Sequence, residues 1–278
     1  MSLFRPFFSD LFARLKTFVQ THEREVDFFC LGKKYLVFNL VSRNLKVKYR
    51  RSIFGVLWTL LAPVGTAIVY YFVFKVILAV RIAQYPLFIM TGVMFWTFFA
   101  QTVMESMESL VGNWGLISKV PIPLQIFPYT GALTNLVNLL ISLPVLVGVA
   151  FASGVVPGWS FLLLPYYAFC LFLMAYGFGF IMAVAFVYFR DLRHLMGIII
   201  QIWFYSTPIV YAEDMIPEKY RWILTLNPLG KTFQGLHGIV SGTVNVADLG
   251  WSLSWGVAIL LAAMLLNRSL VKGVVERI

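Results

Sequence analysis

Residues 129–152 read YTGALTNLVNLLISLPVLVGVAFA, and residues 159–189 read WSFLLLPYYAFCLFLMAYGFGFIMAVAFVYF. Both lie in a longer stretch, residues 120–189, that contains no Asp, Glu, Lys or Arg. A helix needs about 20 apolar residues to cross a membrane, so this stretch is too long for one crossing. Glycine and proline in SGVVPG, residues 153–158, divide it. The sequence therefore predicts two membrane-spanning helices joined by a short turn.

Uncharged runs of similar length lie on both sides of this pair. Backbone groups in lipid must be hydrogen-bonded within the segment, and no run alternates in the way that a barrel strand would, so the runs are expected to be helices. The sequence thus predicts an all-α, polytopic membrane protein whose transmembrane domain covers residues 51–278. The six predicted spans are 56–78, 86–106, 129–152, 159–189, 195–212 and 249–266.

The composition excludes a soluble protein of this length. Hydrophobic residues make up 60% of the 278 residues and charged residues 12%, whereas soluble domains carry about 25% charged residues. A globule of this size leaves much of its area exposed, so it cannot hide that much apolar surface from water. Lipid must therefore solvate the excess.

The placement of lysine and arginine predicts the orientation. With the N-terminus inside, the cytoplasmic segments hold 17 of the 22 basic residues and the external segments hold 5. Because cytoplasmic loops carry an excess of Lys and Arg, an N-in, C-in arrangement is favoured. Eleven of the basic residues lie in residues 1–55. A basic arm on a hydrophobic body indicates an anionic membrane surface rather than nucleic acid as its partner.

Two regions fit neither a span nor a short loop. Residues 1–50 form a cytoplasmic arm whose apolar residues, from Phe4 to Val19, recur at helical spacing, which predicts an amphipathic helix at the membrane interface. Residues 213–248 are predicted to be external and are too polar for two more spans. We expect two short helices there that dip into the outer leaflet against protein or a water-filled cavity.

The predicted spans contain no obvious coupling chemistry. An ion-coupled carrier normally keeps ionisable residues inside its helices as relays, and these spans are nearly free of them. Glu105 and Glu108, one turn apart at the inner end of the second span, have two interpretations. They form a solvated helix end, or they contact a cytoplasmic partner or basic residues of the arm. The energy for transport is therefore expected to come from another chain.

No nucleotide, metal or catalytic site is predicted in this chain. Gly230-Lys231-Thr232 resembles the end of a phosphate-binding loop, but the glycine that the full motif needs at position 225 is Thr225. The three histidines have no partner at metal-ligand spacing. No Ser-His-Asp arrangement and no pair of acids facing a membrane cavity can be recognised.

Aromatic residues make up 17% of the chain. Belts of Trp and Tyr at the membrane interfaces account for some of them, but others lie within the spans. One interpretation is packing against lipid or the protein core. The other is a pore lined with flat rings, on which sugar faces stack without being held by charge. The rings that this second interpretation places in the pore are Tyr70, Tyr71, Trp96, Phe99, Tyr176, Phe204 and Tyr205.

Several motifs, taken in order, resemble one family of membrane proteins. RNLKVKYRRSIFGVLW at residues 43–58, with Pro63 after it, resembles that family's basic run into the first span, and NWGLISKVPIP at residues 113–123 resembles its coupling helix. From about residue 35 to its end, the chain is similar to the transmembrane subunit of an ABC-2 type exporter of polysaccharides. The remaining matching pieces are YFRDLRH (188–194), STPIVY (206–211), IPE (216–218) and NP (227–228).

This resemblance implies a function. The chain would be the permease subunit, not an enzyme, of an ATP-driven exporter in the bacterial cytoplasmic (inner) membrane. The substrate would be a lipid-linked polysaccharide of the O-antigen, capsular or teichoic-acid type. The resemblance also implies a homodimer with two copies of a separate ATPase subunit on the cytoplasmic side. ATP and Mg would belong to that ATPase, and this chain would need no cofactor.

The resemblance also suggests roles for particular residues. The basic cluster either orients the chain in the membrane or meets the phosphate or pyrophosphate of the lipid carrier at the inner headgroup level. The amphipathic arm, the loop at 113–123 and the turn at 190–194 would transmit movement of the ATPase, and residues 213–248 would gate the outer mouth. The residues are Arg43, Lys46, Lys48, Arg50 and Arg51 for the headgroup; Asn113, Trp114, Leu116, Ile117, Lys119, Arg190, Asp191 and Arg193 for coupling; and Pro217, Trp222, Asn227 and Pro228 for the gate.

Other functions remain open at this point. The nearest alternative is an ABC-2 exporter of drugs or other lipids. A membrane glycosyltransferase or acyltransferase would need polar catalytic groups facing a cavity, and the predicted spans offer almost none. A scaffold without transport activity is the third alternative.

Overall fold

The computed structural model describes residues 29–50, 52–120 and 122–275. Within these ranges every regular element is helical, which confirms the predicted all-α class. The amphipathic helix predicted between Phe4 and Val19 lies outside the described residues, and so does Arg51.

The helices are numbered here along the described residues. A π-helical segment, Tyr71–Ile77, continues α2, and short 3-10 turns at Gly55–Leu57 and Trp159–Leu163 precede α2 and α6. The α-helices are α1 (Lys34–Tyr49), α2 (Trp58–Tyr70), α3 (Tyr85–Gly112), α4 (Trp114–Ile117), α5 (Ile126–Ala152), α6 (Leu164–Tyr188), α7 (Leu192–Tyr205), α8 (Trp222–Leu226), α9 (Gly230–Val240) and α10 (Val246–Val275).

Five helical segments in the described part of the chain are long and apolar enough to cross a membrane. They correspond to five of the six predicted spans, and the break at residues 153–158 falls where the glycines and proline predict it, with Gly154 at φ 75°. The five segments are Gly55–Ile77, Tyr85–Gly112, Ile126–Ala152, Trp159–Tyr188 and Val246–Asn267.

The prediction of one continuous span at 195–212 is wrong. The helix in this region, α7, has 14 residues and ends at Tyr205, so its length is about 21 Å, short of the roughly 30 Å of a hydrocarbon core. The helix stops because Pro208 has no N–H to donate and disfavours helical backbone at the residue before it, Thr207.

Although α7 is short, the chain continues beyond it to cover the full length of α3. At one end Arg193 Nε lies 2.9 Å from Glu108 Oε1, near the end of α3. At the other, the Tyr85 hydroxyl, at the start of α3, donates to the Val210 carbonyl at 2.8 Å. Residues 193–210 therefore run antiparallel to α3. We call the end with Glu108 and Arg193 the basic end and the end with Tyr85 and Val210 the distal end.

The core of the bundle consists of α3 and α6. In the most apolar stretch of each of these two helices 78% of the residues are buried, against 11% for the segment containing α2 and 17% for α10. Two glycines of α6 allow close approach of its neighbours: a methyl group at Gly179 would lie 2.6 Å from Ser106 Cβ of α3, and one at Gly177 would lie 3.1 Å from Ile259 of α10. Small residues at such contacts are the usual means of packing helices in lipid.

The region 213–248 contains short helices, whereas their predicted place in the outer leaflet stays a prediction. Asn227, Pro228 and Leu229 join α8 to α9. The ring centroids of Phe233, in the first turn of α9, and Trp96, in the middle of α3, are 6.3 Å apart. Near the end of α9, the Ile239 carbonyl accepts a hydrogen bond of 3.1 Å from Ser160, which precedes α6 at the distal end. This helix therefore runs from the depth of Trp96 back to the distal end.

Candidate substrate and coupling sites

A row of polar contacts fastens α1 to α3 and α5 at the basic end. Lys48 Nζ donates to Glu105 Oε1 at 2.8 Å and to Asn135 Oδ1 at 3.0 Å. Asn135 Nδ2 in turn donates to Glu105 Oε2 at 2.9 Å. The three side chains thus form a closed triangle between three helices. Of the two interpretations given to Glu105, contact with a basic residue of the arm is the one observed.

Two further contacts extend this row in both directions. Nearer the end of the molecule, Arg43 Nη2 donates to Asn113 Oδ1 at 2.8 Å. Deeper in the bundle, the Tyr49 hydroxyl donates to Asn138 Oδ1 at 3.1 Å. Burial, and secondarily the charge of Glu105, raise the pKa of Tyr49 above its ordinary value of 10.0, so the phenol stays protonated and able to donate. We call these contacts, from Arg43 to Asn138, the α1 seam.

The α1 seam divides the predicted headgroup cluster. Arg43 and Lys48 are engaged with side chains of α3 and α5. Lys46 and Arg50 are exposed and form no side-chain hydrogen bond or ion pair with other described residues. Arg51 lies outside the described residues. The role of the cluster in binding a headgroup stays a prediction, but its members are not equivalent.

The seam also contains residues that sequence reasoning missed. Asn135 and Asn138, three residues apart on α5, are both buried. Their signal was present in the sequence: two amides one turn apart in an otherwise apolar span share one helix face, and polar residues inside spans usually face protein or a cavity.

Two cavities adjoin the seam. One of about 520 Å³ is lined by the outer part of α1, including Arg43 and Asn44, and by Glu105, Asn113 and Thr134. The other, of about 300 Å³, lies deeper between α1, α2, α3 and α5. Lys48 lines both cavities, so the Lys48–Glu105 pair stands between them.

The segments predicted to couple to an ATPase lie together at the basic end. Trp114–Ile117 form the short helix α4 directly after α3, and Trp114, Leu116 and Ile117 are half-buried. The start of α7 is joined to α3 by the Arg193–Glu108 ion pair, and in the turn before α7 the guanidinium of Arg190 lies 5.7 Å from the ring centroid of Phe186. Arg190, Asp191 and Lys119 are exposed. Coupling itself stays a prediction for these residues.

Five of the seven predicted pore rings belong to one continuous aromatic cluster. Phe204 stacks on Tyr70 with centroids 5.4 Å apart and contacts Tyr205 and Trp96 at 5.1 Å and 5.5 Å. Trp96 continues to Phe99 at 5.9 Å. Sequence reasoning left out Trp203, which joins the cluster through Phe99 at 5.3 Å.

The remaining two predicted rings lie elsewhere. Tyr71 is next to Tyr85, with centroids 6.1 Å apart. Tyr176 is fully buried in a separate group with Tyr129 and Phe172. Trp96, Phe99 and Phe204 are also buried, whereas Tyr205 is 54% exposed and Tyr70 and Tyr71 are half-buried. The pore assignment stays a prediction, and the exposed edge of the cluster is formed by Tyr205 and Tyr70.

Among the predicted gate residues, Asn227 is the best connected. Its Oδ1 accepts from Trp203 Nε1 at 2.8 Å and from the Leu229 amide at 3.0 Å. Its Nδ2 donates to the Ser206 carbonyl at 3.1 Å and to Thr207 Oγ1 at 2.9 Å. This single amide therefore ties the α8–α9 turn to the end of α7. Pro228 is half-buried beside it, and Pro217 and Trp222 are exposed.

A third cavity, of about 490 Å³, lies at the distal end, with Glu213, Arg221, Gln234 and His237 among its lining residues. Glu213 accepts a hydrogen bond from Gln234 of α9, and His237 stacks on Phe88 of α3 with centroids 3.6 Å apart. Within the described residues no group of three or more His, Cys, Asp or Glu side chains is arranged to hold a metal ion.

Known proteins with similar sequences point to one family. Residues 35–240 match the family described as ABC-2 type transporter. Two O-antigen export system permease proteins RfbA of Klebsiella pneumoniae are 36% and 34% identical to this chain over 191 and 208 residues, which is 68% and 74% of this chain and 74% and 80% of theirs. The protein of the same name from Myxococcus xanthus is 32% identical over 196 residues, covering 70% of this chain and 75% of its own.

Proposed function

The chain belongs to the ABC-2 type transporter family, and from this membership we propose that it is the membrane-spanning permease of an ATP-driven exporter of a lipid-linked polysaccharide. The observation that carries the proposal is the similarity, over about 70% of the chain, to relatives named as O-antigen export permeases. Within that class, the polymer is of the O-antigen, capsular or teichoic-acid type. The alternative, export of drugs or other lipids, is not favoured, because these relatives share one named substrate.

The exporter would draw its energy from a separate ATPase subunit, present in two copies beneath a permease homodimer, with ATP and Mg bound there. The geometry of the basic end supports this arrangement. It brings α4, the Arg190–Arg193 turn and the end of α1 to one side of the molecule, where one soluble partner can contact them all. Movement of α4 or of the turn would reach the core directly, since Glu108 and Asn113 lie at the end of α3.

We further propose that the chain lies in the bacterial inner membrane, crosses it six times and has both termini in the cytoplasm. Two features support this topology. Lys and Arg are concentrated on the segments of the basic end, as cytoplasmic segments require. Residues 193–210 also follow α3 from one end to the other, so a short helix plus a non-helical segment can complete the crossing against protein. The α8–α9 hairpin would then be the external gate.

Deletion of the gene in its source bacterium tests the export function. We expect loss of the surface glycan together with accumulation of lipid-linked polymer inside the cell, both restored by the intact gene. Susceptibility to toxic compounds should not change. Normal surface glycan in the deletion strain would contradict the proposal, and an altered drug susceptibility with normal glycan would favour the alternative.

A further inference from the structure

The cavity of about 300 Å³ between α1, α2, α3 and α5 has a polar end and a mainly apolar interior. Lys48, Gln101 and Asn138 line the polar end, beside the α1 seam, whereas Pro63, Met94 and Leu139 line the interior. Its volume is at the lower limit of the range for small-molecule sites. A cavity lined in this way is suited to a molecule with one polar and one apolar end.

The depth of the cavity agrees with this description. Twenty residues separate Tyr85 from Glu105 on α3, a rise of about 30 Å, which equals the thickness of a hydrocarbon core. With Tyr85 at one interface, the Lys48–Glu105 pair therefore lies at the headgroup level of the other. Met94 lies eleven residues before Glu105, so the cavity extends about 16 Å from the headgroups into the hydrocarbon layer.

The polar end offers donors that the protein does not use fully. Asn138 is 8% exposed, and its Nδ2 atom has no acceptor among the described residues. Its Oδ1 is occupied by the Tyr49 hydroxyl, which leaves the N–H groups as the free part of this amide. Lys48 Nζ carries three N–H donors, of which two are directed to Glu105 and Asn135. A buried donor without a protein acceptor needs a partner, and an oxygen of a bound ligand can supply one.

We propose that this cavity is a binding site for a single-chain lipid pyrophosphate, which, on the basis of the proposed function, is the carrier end of the glycan substrate. The phosphate accepts hydrogen bonds from Lys48 and Asn138, and the first part of the hydrocarbon chain lies against Pro63, Met94 and Leu139. Glu105 holds Lys48 in the absence of the lipid, and the phosphate displaces this carboxylate from the ammonium group.

Charge and size favour this occupant over a membrane phospholipid. A pyrophosphate that links the lipid to a sugar carries about one negative charge on each of its two phosphates, similar to the roughly −1.5 to −2 charges of a phosphate monoester such as farnesyl phosphate. It can therefore compete with the single negative charge of Glu105 for Lys48. A diacyl phospholipid presents a singly charged phosphodiester, and its two chains would need more room than a cavity of about 300 Å³ provides.

Binding of farnesyl phosphate to the purified full-length protein in detergent, measured by native mass spectrometry, tests the site. Lys48→Gln and Asn138→Leu should weaken binding by about 10- to 100-fold, because each removes a hydrogen bond to a charged group. Glu105→Gln should strengthen it by about tenfold, because the competing carboxylate is gone. Lys34→Gln, an exposed lysine on the same helix, is the charge-matched control and should bind as the wild type does.

The opposite signs expected for Lys48→Gln and Glu105→Gln separate a binding role from a structural one, since loss of the ion pair alone would change binding in the same direction for both. Thermal melting of each variant shows whether it is folded. If farnesol binds as tightly as farnesyl phosphate, the phosphate plays no part in binding and the proposal is wrong. If inorganic phosphate competes as well as farnesyl phosphate does, the apolar lining plays no part and the proposal is also wrong. Equal competition by phosphatidylglycerol would make it a membrane-lipid site instead.

The outcome can be separated from the test of export. If deletion of the gene abolishes surface glycan but Lys48→Gln and Asn138→Leu bind farnesyl phosphate as the wild type does, the site is wrong and the export function stands. If the variants lose binding but deletion leaves the glycan unchanged, the site stands and the proposed substrate is wrong.

Discussion

At the turn between α8 and α9, one amide side chain forms hydrogen bonds with four groups. Asn227 is 7% exposed and bonds with Trp203, Ser206, Thr207 and Leu229. Two of the groups are backbone groups, the Ser206 carbonyl just after α7 and the Leu229 amide just before α9, and both lie outside the helices. In a lipid-facing protein, such groups must find partners within the chain.

Replacement of Asn227 by leucine should therefore destabilise the fold. Loss of the amide leaves the Trp203 indole N–H and the Leu229 backbone N–H without their acceptor, and a buried unsatisfied group costs about 1–3 kcal/mol. We expect a melting temperature lower by roughly 5–10 °C in detergent. Asn39→Leu, which removes an exposed amide from α1, is the control and should melt within about 1 °C of the wild type. Equal melting of both variants would show that the Asn227 bonds contribute nothing.

Gly179 permits the contact between the two core helices. A Cβ atom there would lie 2.6 Å from Ser106 Cβ, closer than packed carbon atoms approach. Gly179→Ala should therefore force α3 and α6 apart and destabilise the protein by about 1–3 kcal/mol, despite the higher helix propensity of alanine.

Gly148→Ala provides the matched control, because a Cβ atom at Gly148 of α5 would have no neighbour within 4 Å. This substitution should leave the melting temperature unchanged or raise it slightly. A Gly179→Ala protein that melts with or above the wild type would show that the helices adjust without penalty.

At the scale of elements, the first turn of α7 is connected to α3 by an ion pair between Arg193 and Glu108. The Arg193 and Glu108 side chains are 62% and 37% exposed, and exposed pairs contribute only about 0–1 kcal/mol to stability. The pair is therefore better suited to relaying movement between elements than to holding the fold together.

Reversal of this pair tests the coupling role. Arg193→Glu should reduce glycan export severalfold while the melting temperature changes by no more than about 3 °C, and Glu108→Arg added to it should restore part of the export. Lys219→Glu, at the external side in the proposed topology, should not affect export. Full export by Arg193→Glu would remove the turn from the proposed coupling path.

At the scale of the whole molecule, five helices in the described part of the chain are long enough to cross a membrane, and a sixth crossing depends on residues 193–210. Single cysteines at Lys119 and Glu218, in a chain whose Cys30 and Cys170 are replaced by alanine, distinguish the two topologies. A membrane-impermeant maleimide should label Glu218→Cys in intact cells and Lys119→Cys only after permeabilisation. A fluorescent protein fused to the C-terminus should lie inside; external exposure of that end would mean five crossings.

The sequence by itself determined the class of protein, five of the spans and the position of the break at 153–158. These properties follow from local composition. The length of an apolar run without charges decides whether it can cross a membrane, and glycine or proline interrupts the helix where it stands. It also predicted the short helices in 213–248, because their polarity and prolines are local features as well.

Only the tertiary structure decided which residues meet. It ended α7 at Tyr205 and completed the path along α3 with non-helical residues, an arrangement that apolar length alone cannot distinguish from a longer helix. It placed Tyr176 apart from the other predicted rings. It also brought Lys48, Glu105 and Asn135 together from three helices. Glu105 lies 57 positions after Lys48 in the sequence, and Asn135 lies 87 positions after it. Contacts between such distant residues depend on how the helices pack, which no local pattern encodes.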